Sequence, residues 1–254
     1  MGQLLWKLKE HLVRLQADQL SAAIDLLKPQ QGLSDINYRG MQLSSARLLA
    51  IDLGHLPTQQ FGRLAERYAR GADLVAAYEQ PAASPLHIDA LWRVVAPWPR
   101  APLATAIELI VSVRTHLLEA QPDLHVHSIV PAEEVLRPAA AADGVAHWSP
   151  LPGEESRVLQ PCGGPGCLLW RLPGGELSYA EMIHPADFQR DEFSGGRQDH
   201  RLTSVRHGLF ADRLEKGVML RARVRGVLMP RHQDQAVAAE CYAVFAAADP
   251  PLDA

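Results

Sequence analysis

The chain has 254 residues, with 25 Lys+Arg against 29 Asp+Glu, a formal net charge of −4 and 47% hydrophobic residues. That balance excludes global disorder and lacks the basic excess of a dedicated nucleic-acid binder. Three cysteines are too few, and odd in number, for a disulfide framework.

The first ten residues interrupt their apolar positions with Lys7, Lys9 and Glu10, so no signal-peptide core is expected there. No apolar run approaches the roughly 18 residues of a spanning helix. These features predict a cytoplasmic chain with neither nucleic acid nor membrane as a partner. Leu5, Leu8, Leu12 and Leu15 follow a 3-4-3 spacing that Leu20, Ile24 and Leu27 continue, predicting an amphipathic helix over 3–28 that Pro29 stops. Together with its connector, this helix fills 1–34 and offers a surface for self-association. A shorter helix is expected over 57–70, opened by Pro57-Thr58, with Phe61, Leu64 and Tyr68 on one face and Gly71 as its terminator.

Beyond Gly71 the period changes to two. Over 87–95, Ile88, Ala90, Trp92 and Val94 oppose His87, Asp89 and Arg93. Over 104–118, Ile107, Leu109, Val111, Val113 and Leu117 oppose Glu108, Ser112, Arg114 and His116. Over 123–130, Leu124 and Val126 oppose His125 and His127. Such alternation marks half-buried antiparallel strands. Residues 136–156 read as a linker or long loop. Strands resume at 168–172, 176–183, 201–210, 218–229 and 236–245.

The segment Val111–Leu118 can be laid over Ala222–Met229 without a gap. This echo predicts an internal duplication, with one β-rich unit over 35–135 and a second over 157–254. The expected fold is therefore mainly β with N-terminal helices (α+β), two similar antiparallel units forming sandwich-like layers.

Parity also sets the candidate sites. Pairing 104–118 with 123–130 in an odd-sum register gathers Arg114, His116, His125 and His127 on one polar face, where the three imidazoles are candidate metal ligands. Pairing 218–229 with 235–247 in the same way sets Arg221, Arg223 and Arg225 beside Glu240 and Tyr242. These arginines are a candidate anion-binding ladder for an acidic ligand or partner, or a network neutralised by Glu181, Asp187, Asp191 or Glu192. Cys162 and Cys167 flank a Gly-Pro turn, and Cys241 reads as a small buried residue. No nucleophile elbow, phosphate-binding glycine loop or HExxH motif occurs, so no cofactor is expected. Glu181, His184 and Asp187 are the acid–base candidates. The sequence thus favours a non-catalytic β-sandwich binding or assembly module. An enzyme acting on a carbohydrate or small acidic molecule through Glu181 and Asp187, or a metal-binding protein, are the alternatives.

Overall fold

A computed structural model describes residues 5–54, 62–79, 86–95, 101–139, 147–152, 156–196, 202–210 and 212–249. The chain is mainly β, with sandwich-like sheets and, among the described residues, one α-helix, at the C-terminal end. Nine strands form the broad sheet, in the order His147–Pro150, Glu134–Ala139, Cys167–Arg171, Leu177–Ile183, Met219–Pro230, Thr105–Thr115, Leu86–Val95, Asp73–Tyr78, Leu64–Arg70. Two five-stranded sheets complete the sandwich. The N-terminal one comprises Trp6–Lys9, Leu12–Ala17, Leu20–Asp25, Ser34–Tyr38 and Met41–Leu43; the other runs Arg157–Leu159, Arg190–Ser194, Leu202–Leu209, Leu124–Pro131, Arg47–Asp52. One core joins all three, with Ile24, Trp92, Leu109, Val126, Trp170 and Val205 among its buried members.

The expected N-terminal helices are absent. Residues 6–25 instead form three short strands, in which Val13, Leu15 and Ala17, then Leu20, Ala22 and Ile24, are buried at alternate positions. Each strand keeps period two, but the turns at Glu10-His11 and Asp18-Gln19 reset the parity, and the joined fragments mimic helical spacing. Glu10 takes the left-handed conformation that such a tight turn needs (φ 56°). Leu12, on the expected helical stripe, is 52% exposed. This sheet covers the 64–115 half of the broad sheet: Trp6 Nε1 donates to Ala72 O (2.8 Å) and Tyr78 Oη to Leu26 O (2.9 Å).

Of the expected helix over 57–70, residues 57–61 lie outside the described residues, and Leu64–Arg70 is an edge strand. Gly71 (φ 58°) does adopt the left-handed conformation, but as the start of the hairpin turn into Asp73–Tyr78. The opposite error occurs at the C-terminus, where 236–245 belongs to the helix Asp234–Ala247. Its buried residues Asp234, Ala238, Cys241 and Phe245 follow 4-3-4 spacing, and its many alanines favour a helix.

Both expected registers therefore fail. Thr105–Thr115 pairs with Leu86–Val95 and with Met219–Pro230, while Leu124–Pro131 pairs with Arg47–Asp52 and Leu202–Leu209. The two echoing segments are adjacent central strands of one sheet, with Val111 facing Ala222 directly. Both sides of the 136–156 stretch contribute strands to the broad sheet and to the sheet that carries Leu124–Pro131. No helix among the described residues is long and apolar enough to cross a membrane.

Candidate functional site

Strand parity gives the broad sheet two unlike faces. On Leu177–Ile183 the odd residues Tyr179, Glu181 and Ile183 point into the sandwich, whereas Ala180 and Met182 join a second cluster under the C-terminal helix. Glu181 is therefore fully buried, and two partners from the facing sheet, with Tyr179 of its own strand, surround it. His207 Nε2 lies 3.0 Å from Glu181 Oε1, and His207 Nδ1 lies 2.7 Å from Asp191 Oδ1. Ser128 Oγ donates to Glu181 Oε2 at 2.6 Å and receives the Leu49 N–H at 2.9 Å. The Tyr179 hydroxyl donates to the same Glu181 oxygen. Gly226, opposite Glu181 in register, leaves room for that phenol: a Cβ there would lie 2.4 Å from Tyr179 Oη.

Burial opposes charge on His207, but Asp191 and then Glu181 outweigh it and push the imidazole up to about 10. Burial, reinforced by Glu181, holds the Tyr179 phenol well above its ordinary range. This polar cluster ties the two layers together in the dry interior. A substrate has no access to Glu181 there, and His184 and Asp187 do not join it.

His184 and Asp187 lie past the strand end, beside the C-terminal helix. His184 meets Phe245 edge-on with centroids 5.4 Å apart, and Asp187 Oδ2 accepts the Arg223 backbone N–H at 2.9 Å. Burial lowers the His184 pKa and raises that of Asp187.

The arginine ladder lies on the outer face of the broad sheet, as its alternation requires. Its neighbours come from Thr105–Thr115 and the helix. Glu108, paired with Arg225 in register, receives Arg225 Nε at 2.9 Å in a buried ion pair. Arg223 donates to the carbonyls of Ala248 and Asp249 at 3.1 Å each. The Phe245 ring stands 4.4 Å from the Arg225 guanidinium carbon and 5.4 Å from that of Arg223. Arg221 Nε donates to Ser112 Oγ at 3.1 Å. Of the acids expected to meet the ladder, Asp187 does so through a backbone N–H, and Glu181 and Asp191 are engaged in the interior. Glu240 and Tyr242 lie on the helix, not on a paired strand.

The three candidate metal ligands divide between two sheets. His125 and His127 share the outer face of the Leu124–Pro131 strand, near Asp52 and Arg206, whereas His116 follows the end of Thr105–Thr115. Burial lowers the pKa of both His125 and His127. Among the described residues no group of three or more His, Cys, Asp or Glu side chains is placed to hold a metal. Cys162 is exposed, Cys167 and Cys241 are buried, and all three are free thiols.

Where the helix leaves the outer face uncovered, a cavity of about 400 Å³ opens over Thr105–Thr115 and its neighbours. Leu91 and Ile110, paired in register, make an apolar floor. His87, Asp89, Ser112, Arg114 and Arg221 rise around it, and exposed Tyr68 stands at one edge. His87 Nε2 lies 3.1 Å from Asp89 Oδ1 and 2.8 Å from Arg114 Nη2. With a proton on Nε2, the ring donates to the carboxylate. Without one, the guanidinium donates to the lone pair. The imidazole thus has a partner on this nitrogen in either state. The sequence had already placed these residues on polar faces; they converge because Leu86–Val95 pairs with one edge of Thr105–Thr115, setting His87 beside Arg114 and Asp89 beside Ser112, while Met219–Pro230 on the other edge brings Arg221.

No family description and no curated protein sequence matches the chain. Solved structures do match its fold. A TPR-domain containing protein from Parabacteroides distasonis superposes with a TM-score of 0.59 at 10% identity, over 86% of this chain and 47% of that one. The chain thus spans about half the length of that protein. A provisionally assigned mutarotase from Salmonella typhimurium superposes with a TM-score of 0.53 at 12% identity, over 91% of this chain and 97% of that one. A GH36 α-galactosidase from Geobacillus stearothermophilus gives 0.52 at 8% identity, over 89% and 40%. At these identities the likeness is one of fold.

Proposed function

We propose that the chain acts on a carbohydrate, binding a sugar ring in the outer-face cavity and interconverting its anomers by acid–base chemistry. One observation carries this reading: His87, held between Asp89 and Arg114, stands over an apolar floor ringed with polar side chains. The likeness in fold to a provisionally assigned mutarotase and to an α-galactosidase supports the substrate class. It favours the carbohydrate alternative over a non-catalytic assembly module, and in this reading His87 and Asp89 take the acid–base role instead of Glu181 and Asp187. Leu91 and Ile110 accept the C–H face of a pyranose, while Ser112, Arg221 and Asp89 suit its hydroxyls.

The reaction needs one proton removed from the anomeric hydroxyl and one delivered to the ring oxygen. The C–O ring bond then opens, the carbonyl carbon turns, and the ring recloses with both proton transfers reversed. Polarimetry on freshly dissolved α-D-glucose and α-D-galactose tests the proposal. Catalysed equilibration is expected, and His87→Ala is expected to slow it about 10²–10⁴-fold. Equilibration by the native chain at the buffer rate with both sugars, together with no sugar binding in the cavity, would overturn the reading.

A further inference from the structure

The outer face carries a second, larger cleft at the start of the C-terminal helix, on the side away from the first cavity. It has a volume of about 760 Å³ and is lined by Trp148, Arg171, Arg231, His232, Gln233 and Gln235, among others. Its wall is fixed from within. Buried Asp234 accepts Ser178 Oγ at 2.8 Å and Arg171 Nε at 3.1 Å, and it lies 3.8 Å from Arg231 Nε. Glu134 takes the remaining charge of Arg171, at 2.7 Å from Nη1.

Arg171 is thus fully engaged, whereas Arg231 is not. Its Nη1 is shielded from solvent and has no hydrogen-bond partner among the described residues. The Arg231 side chain as a whole keeps 27% of its surface exposed and lines the cleft, so it can donate to a ligand oxygen there. Opposite, Trp148 packs against the cluster beneath the helix while remaining partly exposed, held by the edge strand His147–Pro150. Gln233 and Gln235 line the same cleft.

We infer that this cleft is a second binding site, for a hexopyranose unit. The ring's C–H face stacks on Trp148, a hydroxyl oxygen accepts from the partly exposed Arg231 side chain, and the two glutamines take further hydroxyls. A large aromatic face and a few fixed polar groups around an open cleft are the features such a ligand requires. The two arginines face the carboxylates of Asp234 and Glu134, a balance that fits a neutral sugar better than a phosphate. The inference does not depend on the function proposed for the first cavity, with which the cleft shares no residue.

Maltotriose provides the probe for the test. Titrated into the full chain, it should change tryptophan emission saturably, with a midpoint in the range of about 1–10 mM that fits one stacked ring. Trp148→Ala and Arg231→Ala should each weaken that midpoint at least about tenfold, whereas Trp148→Phe, which keeps an aromatic platform, should hold it within a few-fold. Arg221→Ala, in the first cavity, should leave it unchanged. Saturation-transfer NMR on the same samples reports binding independently of emission, so a Trp148→Ala variant that folds poorly is replaced by Arg231→Ala. The inference is wrong if the native chain gives neither signal up to about 50 mM maltotriose. It is equally wrong if Arg231→Ala binds as the native chain does, or if Arg221→Ala rather than Trp148→Ala abolishes binding.

Discussion

Substituting His207→Ala removes the cation that lies between two buried carboxylates. In the native chain Asp191 and Glu181 hold the imidazolium against burial, raising it from 6.5 to about 10. One pH unit of difference between folded and unfolded pKa is worth about 1.4 kcal/mol, so this interval sets an upper bound of roughly 5 kcal/mol. Breaking a buried ion pair by deleting one partner costs about 3–5 kcal/mol by an independent route. Because the folded pKa is the higher one, this stabilisation is complete below pH 6.5 and is lost as the pH rises through about 10.

Urea unfolding followed by far-UV circular dichroism at several pH values between about 6 and 10 measures both quantities. At the acid end the variant should be less stable by about 3–5 kcal/mol, and the gap should narrow steadily toward alkaline pH. Subtracting the variant's curve removes the contributions of other groups that titrate in this range. A gap below about 1 kcal/mol at every pH, or one that widens as the pH rises, would refute the reasoning.

Four further outcomes follow from the packing. Gly226→Ala places a methyl 2.4 Å from Tyr179 Oη, so it should cost about 1–3 kcal/mol and alter the near-UV tyrosine signal; an unchanged melting curve would count against the crowding. Glu108→Gln leaves the buried Arg225 cation without its carboxylate and should cost about 3–5 kcal/mol in chemical denaturation. Glu79→Gln, at the exposed Arg63–Glu79 pair, should leave stability unchanged within error, and equal costs at the two sites would show that burial is not the deciding variable. Phe245→Ala removes a fully buried ring that packs on Arg223 and Arg225; it should cost about 3–5 kcal/mol and reduce the helical circular-dichroism signal, and a native-like spectrum would place the helix's anchorage elsewhere.

Much of the strand content was legible because alternation is a local property. The faces assigned to His87, Asp89, Glu108, Ser112 and Arg114 are the ones they occupy. Pairing partners were not legible, since parity states which face a residue occupies and says nothing about which strand lies beside it. Assigning each long strand to its neighbour in sequence dispersed the cavity residues and produced a three-histidine face that the sheets divide. The N-terminal strands were misread because four- to six-residue strands are too short to establish their own period before a turn resets it. The C-terminal helix was misread because its interleaved alanines fit period two and period 3.6 alike, and Cys241 and Phe245, four residues apart, satisfy both readings.

The central position of Met219–Pro230 has a consequence for how the protein is made. At ribosomal speeds of about 5–20 residues per second, roughly 5–20 s separate the emergence of Thr105–Thr115 from that of its second partner. During that interval the half-sheet of Leu64–Arg70, Asp73–Tyr78, Leu86–Val95 and Thr105–Thr115 presents a long apolar strand with a row of unpaired amides. The nascent chain must keep that edge from docking onto another copy. Residue Glu108 bears on the problem, because a carboxylate in the middle of the open strand is costly to bury against anything that does not bring an arginine. Until Arg225 arrives, the Glu108 carboxylate raises the cost of pairing that edge with any strand that brings no arginine.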